Sequence, residues 1–295
     1  MADVYFAKFN INEEIYEVYS DSTLRDKLLL KLYSSLVTNF SINDKDGTYK
    51  FTTLDKNPDT LVINGRLVKY GPGTHVSYDE NADDIIETLD EKKAAYVTFS
   101  FDVQNEIIGF VPKRDFGFKQ FLQRFKSLVE ATAGIGEVQL FLETDTEKLE
   151  ERIKFLESVN EITVRLIPPN DDREDFKALF GTDADDVEDS GATKFLIRLF
   201  ATTKRTLKIS SNYIQKLLKA VGLGYGQMYV LGVNRSGEKV RIRSEQDTPY
   251  TKSILDLNKD SIPEIAEKTR AGISELKGLK ARRRVIKNNE GSEKE

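Results

Sequence analysis

The sequence predicts an α+β fold in two domains, with mixed, mainly antiparallel sheets, packed helices and a basic helix-plus-hairpin C-terminal domain. Three observations predict it. Apolar residues along the 295-residue chain switch between strand and helix periods, with hairpin-like strand pairs between the helices, which argues against an all-parallel sheet. Charge is divided: residues 1–180 carry 22 Lys and Arg against 33 Asp and Glu, whereas residues 181–295 carry 22 against 16. Between Asp189 and Glu238 there is no acidic residue, yet Lys194, Arg198, Lys204, Arg205, Lys208, Lys216, Lys219 and Arg235 all fall there. The expected boundaries are an acidic α+β domain over 1–181, an acidic linker over 182–191, a basic α+β domain over 192–277 and a basic-to-polar tail over 278–295.

The front elements follow in order. Residues 3–11 are apolar and aromatic enough for a strand. Asp21 is placed to cap a helix on which Leu24, Leu28, Leu29, Leu32, Leu36 and Val37 recur at helical spacing. Residues 49–53 and 60–70 read as strands, the second interrupted by the hairpin dipeptide Asn64–Gly65. An acidic helix is expected at about 80–91, with Ile85, Ile86 and Leu89 on one face. Residues 95–101 and 106–111 pair as a hairpin around Asn105. Asp115 is placed to cap a helix whose inner face carries Phe118, Phe121, Leu122, Phe125, Leu128 and Val129. A strand at 137–143, a charged helix at 145–158, a strand at 161–167 stopped by Pro168 and Pro169, and a short helix at 172–180 ending at Gly181 complete the part.

Residues 182–191 read as a solvated hinge, since their carboxylates do not follow the spacing of a calcium loop. The basic part opens with a strand at 193–201. A helix capped by Ser210 or Ser211 follows, its stripe formed by Tyr213, Ile214, Leu217, Leu218 and Val221, with Lys216 and Lys219 facing outward. Residues 227–233 and 238–244 form a hairpin about Asn234–Gly237. Lys239, Arg241 and Arg243 alternate there with Val240 and Ile242, so three cations share one face. A last helix covers 261–276, inner face Ile265, Ala266, Thr269 and Ile273, before a basic run containing Arg282 and Arg283.

Composition prunes the chemistry. There is no cysteine and one histidine, which removes thiol nucleophiles, disulfides and thiolate metal sites. His75, in a Gly/Pro-rich stretch, reads as a turn residue, and no phosphate loop, nucleophile elbow or dinucleotide fingerprint is present. The chain reads as non-enzymatic, with no metal, cofactor or small-molecule substrate. No apolar run of membrane-spanning length and no secretory leader is visible, so the expected compartment is the cytoplasm. The loop Gly222–Gly226 follows a helix, whose C-terminal end repels anions, and so reads as a turn rather than a phosphate cradle.

A further set of segments carries a resemblance: VYFAKF at 4–9, YKFTTLDK at 49–56, ADDIIETLD at 82–90, YVTFSFD at 96–102 and IIGFVP at 107–112. FKALFG at 176–181, GVNRSGEKVRIR at 232–243 and SIPEIAEK at 261–268 continue it. In element order and scattered residues the chain resembles the RexA-like family of phage exclusion proteins. The resemblance implies a two-domain homodimer that binds double-stranded DNA without catalysis or strong sequence preference. It also implies a part in antiphage defence, through phage exclusion or abortive infection, with a membrane-protein partner.

Charge and spacing, independently, nominate Lys204, Arg205, Lys208, Lys216, Arg235, Lys239, Arg241, Arg243, Arg282 and Arg283 as phosphate contacts. Phe195, Phe200, Tyr213, Tyr225 and Tyr229 fall mostly at positions expected in the core, which favours duplex over unpaired strands. The alternative reading is a docking subunit of a defence system, its basic module held by an acidic protein or by anionic headgroups without direct DNA binding. A metal-dependent nuclease built on the carboxylates of 183–189 is the third reading.

Overall fold

The computed structural model describes residues 1–170, 173–202 and 204–290. Strand β1 (Ala2–Ile11) leads into α1 (Ile15–Ser20) and α2 (Ser22–Ser35). Asp21 caps α2, its carboxylate accepting from the Thr23 amide at 2.9 Å. Next come β2 (Ser41–Asp44), β3 (Gly47–Asn57), β4 (Val62–Asp79), β5 (Asp84–Asp102), β6 (Ile107–Phe110), α3 (Phe118–Ala133) and β7 (Val138–Leu142). The middle of the chain forms α4 (Thr146–Lys154), β8 (Leu156–Leu166), α5 (Arg173–Phe180), α6 (Ala184–Asp189), β9 (Phe195–Phe200), α7 (Asn212–Gly222), β10 (Gly226–Asn234), β11 (Lys239–Arg243) and α8 (Ser244–Asp247). The last elements are β12 (Thr251–Ile254) and α9 (Ile262–Glu290). No helix among the described residues is long and apolar enough to cross a membrane.

The fold is α+β, and the strand pairings are antiparallel. An eight-stranded sheet has the order β12-β1-β6-β5-β4-β3-β2, with β7 also on β1. One face packs α2 and α3 through a core rich in phenylalanine, including Phe51, Phe99, Phe101, Phe121 and Phe125. The other face receives α9, whose Ile265, Ile273 and Leu276 meet Val4, Phe6, Ile107 and Val111. Two glycines permit that close approach. A Cβ on Gly109 would lie 2.0 Å from Thr269 Oγ1, and one on Gly272 would lie 2.2 Å from the Phe6 ring.

The second sheet has four strands, ordered β11-β10-β8-β9. One face is sealed by α4 and α7, with Leu149, Ile153, Ile214, Leu217, Leu218 and Val221 against Ile162, Val164, Met228, Val230 and Ile242. The chain leaves the first sheet through Thr144 and returns through Pro249, and these two residues form an antiparallel bridge. Beside them, the Asp145 amide donates to Thr248 O at 2.8 Å and the Tyr250 amide to Glu143 O at 2.7 Å. Residues 145–248 are therefore inserted into the unit built around the first sheet.

This topology moves the expected boundaries. Strand β8, grouped with the acidic part by charge, is a central strand of the second sheet, while β12 and α9 belong with the first. Charge is a property of surfaces, whereas sheet membership is decided by apolar faces. The inserted segment is itself almost neutral, with 17 basic and 18 acidic side chains.

Four local expectations also change. The expected acidic helix at 80–91 is instead a turn over 80–83 and the start of β5, paired with β4 through Tyr78↔Ile85, Val76↔Glu87 and Thr74↔Leu89. Asn64–Gly65 lies inside β4, where Gly65 faces the Thr53–Leu54 irregularity of β3 and a Cβ would meet Leu54 at 2.6 Å. The helix α3 begins after Gly117 rather than at an Asp115 cap. The last helix does not stop near 276 but continues to Glu290, taking up most of the expected tail. The expected start of α5 at Asp172 and the end of the tail at 291–295 lie outside the described residues.

Candidate nucleic-acid interface

Period two on the four strands sends alternate side chains to the face opposite α7. On β9 these are Leu196, Arg198 and Phe200, all exposed, while Phe195, Ile197 and Leu199 turn toward the core. Strand register aligns them with the other strands. One row reads Arg198, Thr163, Tyr229, Arg243; the next reads Phe200, Glu161, Leu231, Arg241; and Val233 beside Lys239 begins a third. Arg165 sits beside Leu196 and Gln227. With strands about 4.8 Å apart, the first row spans about 14 Å.

The face is open. Leu196 is 66% exposed and Phe200 62% exposed. A cavity of about 370 Å³ lies on it, lined by residues that include Arg165, Arg198, Tyr229 and Arg243. Two arginine–aromatic contacts organise the surface. The Arg198 guanidinium lies 4.6 Å from the Phe200 ring centroid and that of Arg243 lies 6.0 Å from Tyr229. Arg198 Nε also donates to Glu161 Oε1 at 2.7 Å. That hydrogen bond holds the Glu161 carboxyl below the usual carboxylate range, so the central acid of the face carries its own countercharge. Arg243 Nη1 donates to Gln246 at 2.8 Å, which orients its guanidinium without neutralising it.

The nominated cations divide into two groups. Lys239, Arg241 and Arg243 are exposed on β11, as their alternation predicts. Arg235 is exposed in the β10–β11 turn, and Lys204, Arg205 and Lys208 are exposed in the loop between β9 and α7. That loop is tied to the start of β8, with Leu207 N donating to Val159 O at 2.9 Å and Val159 N to Thr206 Oγ1 at 2.8 Å. Loop and turn consequently share one end of the sheet. Among the described residues, none of these seven side chains forms an ion pair with a carboxylate.

The second group lies elsewhere. Lys216, half-exposed on α7, lines a small cleft with Asp175, Leu179 and Lys219 on the helix side. Arg282 is exposed on α9, outside the sheet face. Arg283 is half-buried and donates to Gly222 O at 3.4 Å. Burial pulls its guanidinium pKa down, against the raising fields of Glu147, Glu150, Asp145 and Glu143. Arg283 thus joins α9 to the inserted module, a structural position that a basic run in a sequence does not disclose. Other cations of the acid-free window are spent on ion pairs, Lys194 with Glu137 at 2.6 Å and Lys219 with Asp175 at 3.4 Å.

The aromatic expectation needs correction. Tyr225 is buried, but Phe200 and Tyr213 are largely exposed and Tyr229 is half-exposed on the open face. Strand β9 is apolar on both sides apart from Arg198, so its sequence does not say which side is covered. Sequence reading also missed Arg165 and Arg198 as members of this face, because their neighbours come from other strands.

Residues 184–189 form α6, and Arg173 pairs with Glu188 at 2.7 Å and with Asp185 at 3.5 Å. Among the described residues no group of three or more His, Asp or Glu is placed to hold a metal ion. His75 is not in a turn but exposed in β4 opposite Thr88.

The architecture defines an α+β protein with an inserted module that presents an arginine- and aromatic-bearing open sheet. By sequence, residues 48–269 match the family model described as a domain of unknown function, DUF4747, and the chain belongs to that family. The match runs from β3 into α9, across the whole insertion. No curated protein matches the chain.

Proposed function

We propose that the inserted module is a non-catalytic, sequence-tolerant nucleic-acid-binding module that grips the sugar-phosphate backbone. One observation carries this reading: Lys239, Arg241 and Arg243 stand in line on an exposed strand, continued by Arg235 and the loop cations at one end of the sheet, with none engaged by a carboxylate among the described residues. Phosphate contacts of this kind position a strand without reading bases. The acidic surfaces of α5 and α6 keep the polyanion on the open side. The resemblance to RexA-like exclusion proteins supplies the proposed setting, defence against infecting phage.

The test is a binding titration across a salt series with duplex DNA and with single strands. If about six phosphates of a duplex are neutralised, log affinity falls with log salt at a slope of about −5. Changing Lys239, Arg241 and Arg243 together to Glu lowers the slope to about −2 to −3, since each lost contact removes roughly 0.9. A flat salt response, or full affinity in the triple variant, overturns the proposal. Equal binding to anionic vesicles and loss of nucleic-acid binding would favour the docking reading instead.

A further inference from the structure

Phosphate contacts need only cations, yet the centre of the open face is not purely cationic. Leu196, Phe200, Leu231 and Tyr229 lie among the arginines, and Phe200 is left 62% exposed on a strand whose opposite side already fills the core. A large exposed ring costs solubility and packs nothing inside, so its position calls for a flat apolar partner. A duplex does not provide one, because its base faces are stacked inside. An unpaired strand does, since every base has a π-face and stacks on aromatic side chains regardless of sequence.

Resting on the nucleic-acid reading above, we infer that this face takes single-stranded nucleic acid, with bases stacked on Phe200 and Tyr229 and phosphates held by Arg165, Arg241 and Arg243. The geometry fits that occupant. Phe200 and Tyr229 are two strands and one same-face step apart, about 12 Å between Cα positions by sheet spacing, enough for a short run of nucleotides between them. Each ring has an arginine beside it, Arg198 at 4.6 Å and Arg243 at 6.0 Å, so the guanidinium extends the stacking surface. Arg165 and Arg241 border the same rows and lack a carboxylate partner among the described residues. Glu161 and Glu245 also border the cavity. Glu161 is neutralised by Arg198, while Glu245 lies toward the far end, 3.9 Å from Lys119.

Fluorescence anisotropy with the full chain separates the possibilities, using a labelled 12-nucleotide oligo(dT), an oligo(U) of the same length and a 12-base-pair duplex at one salt concentration. The single strands are expected to bind at least tenfold more tightly than the duplex. Phe200→Ala and Tyr229→Ala are each expected to weaken single-strand binding about 5- to 150-fold, the range for losing one stacked base, and to change duplex binding less than twofold. Phe200→Tyr keeps a ring at the exposed position and retains affinity, and unchanged thermal melting of each variant excludes unfolding. Equal affinity for duplex and single strand with Phe200→Ala neutral overturns the inference and leaves the backbone-gripping reading intact. No binding of any nucleic acid at low salt overturns both. Self-association that disappears in Phe200→Ala, with single-strand binding unchanged, assigns the ring to a contact between copies and likewise overturns the inference.

Discussion

Glu106 is fully buried in the turn between β5 and β6 and carries a φ of 57°. Lys8 Nζ donates to its Oε2 at 2.7 Å, Arg25 Nη2 lies 3.3 Å away, and Asn170 Nδ2 donates to Oε1 at 3.0 Å. Asn170 also reaches Phe9 O at 3.2 Å, so one carboxylate ties β1, α2 and the segment after β8 together. Burying such charges gains little overall, but removing the shared carboxylate takes a charged acceptor from Lys8, Arg25 and Asn170 at once. Glu106→Gln should therefore destabilise the protein by about 3–5 kcal/mol in urea denaturation. A single variant costing less than about 1 kcal/mol would show that water reaches the site. Nothing in the sequence announces this cluster, since its members come from positions 8, 25, 106 and 170 and meet only through the fold.

The long β4–β5 ribbon behaves differently along its length. Residues 62–70 of β4 are flanked by β3 on one side and by β5 on the other, whereas 73–79 pair only with 84–90. Val76, Tyr78, Ile85 and Leu89 stand exposed on one side of this outer half. A two-stranded ribbon without a packed face is marginal in water. Its amides at 73–90 should exchange with solvent at least tenfold faster than those at 62–70 and 95–101, measured by hydrogen–deuterium exchange; uniform protection would mean that the exposed side is covered by a second copy or another partner. The ribbon also shows what a sequence can and cannot disclose. Ile85, Ile86 and Leu89 satisfy a helical spacing, and only the partner strand decides in favour of β. By contrast, Asp21, Gly181 and the alternation of Lys239, Arg241 and Arg243 carry their structural meaning locally, and the corresponding elements were legible. Phe200 was not, because an apolar strand gives no sign of which side will be left bare.

At the scale of the molecule, α9 bridges both parts. Its first turns pack on the eight-stranded sheet through Ile265, Ile273 and Leu276. Farther on, Lys280 Nζ donates to the buried Glu143 and to Leu223 O at 2.9 Å, and Arg284 pairs with Asp175 of α5 at 2.8 Å. A chain ending at Leu279 loses these links and leaves Glu143 buried without its ammonium partner. Calorimetry should then show two unfolding transitions where the full chain shows one, because the sheets no longer share a helix. A single transition in the shortened chain would place their coupling in β1 and the joining segments alone.

The paired exit and return at Thr144 and Pro249 bear on ancestry as well as stability. Opposed residues of an antiparallel pair are only about 5 Å apart. A two-residue connection of the ordinary kind would close that gap and leave the host sheet continuous. Residues 145–248 are in that sense a cassette: the scaffold can gain, lose or exchange it without rewiring its own strands.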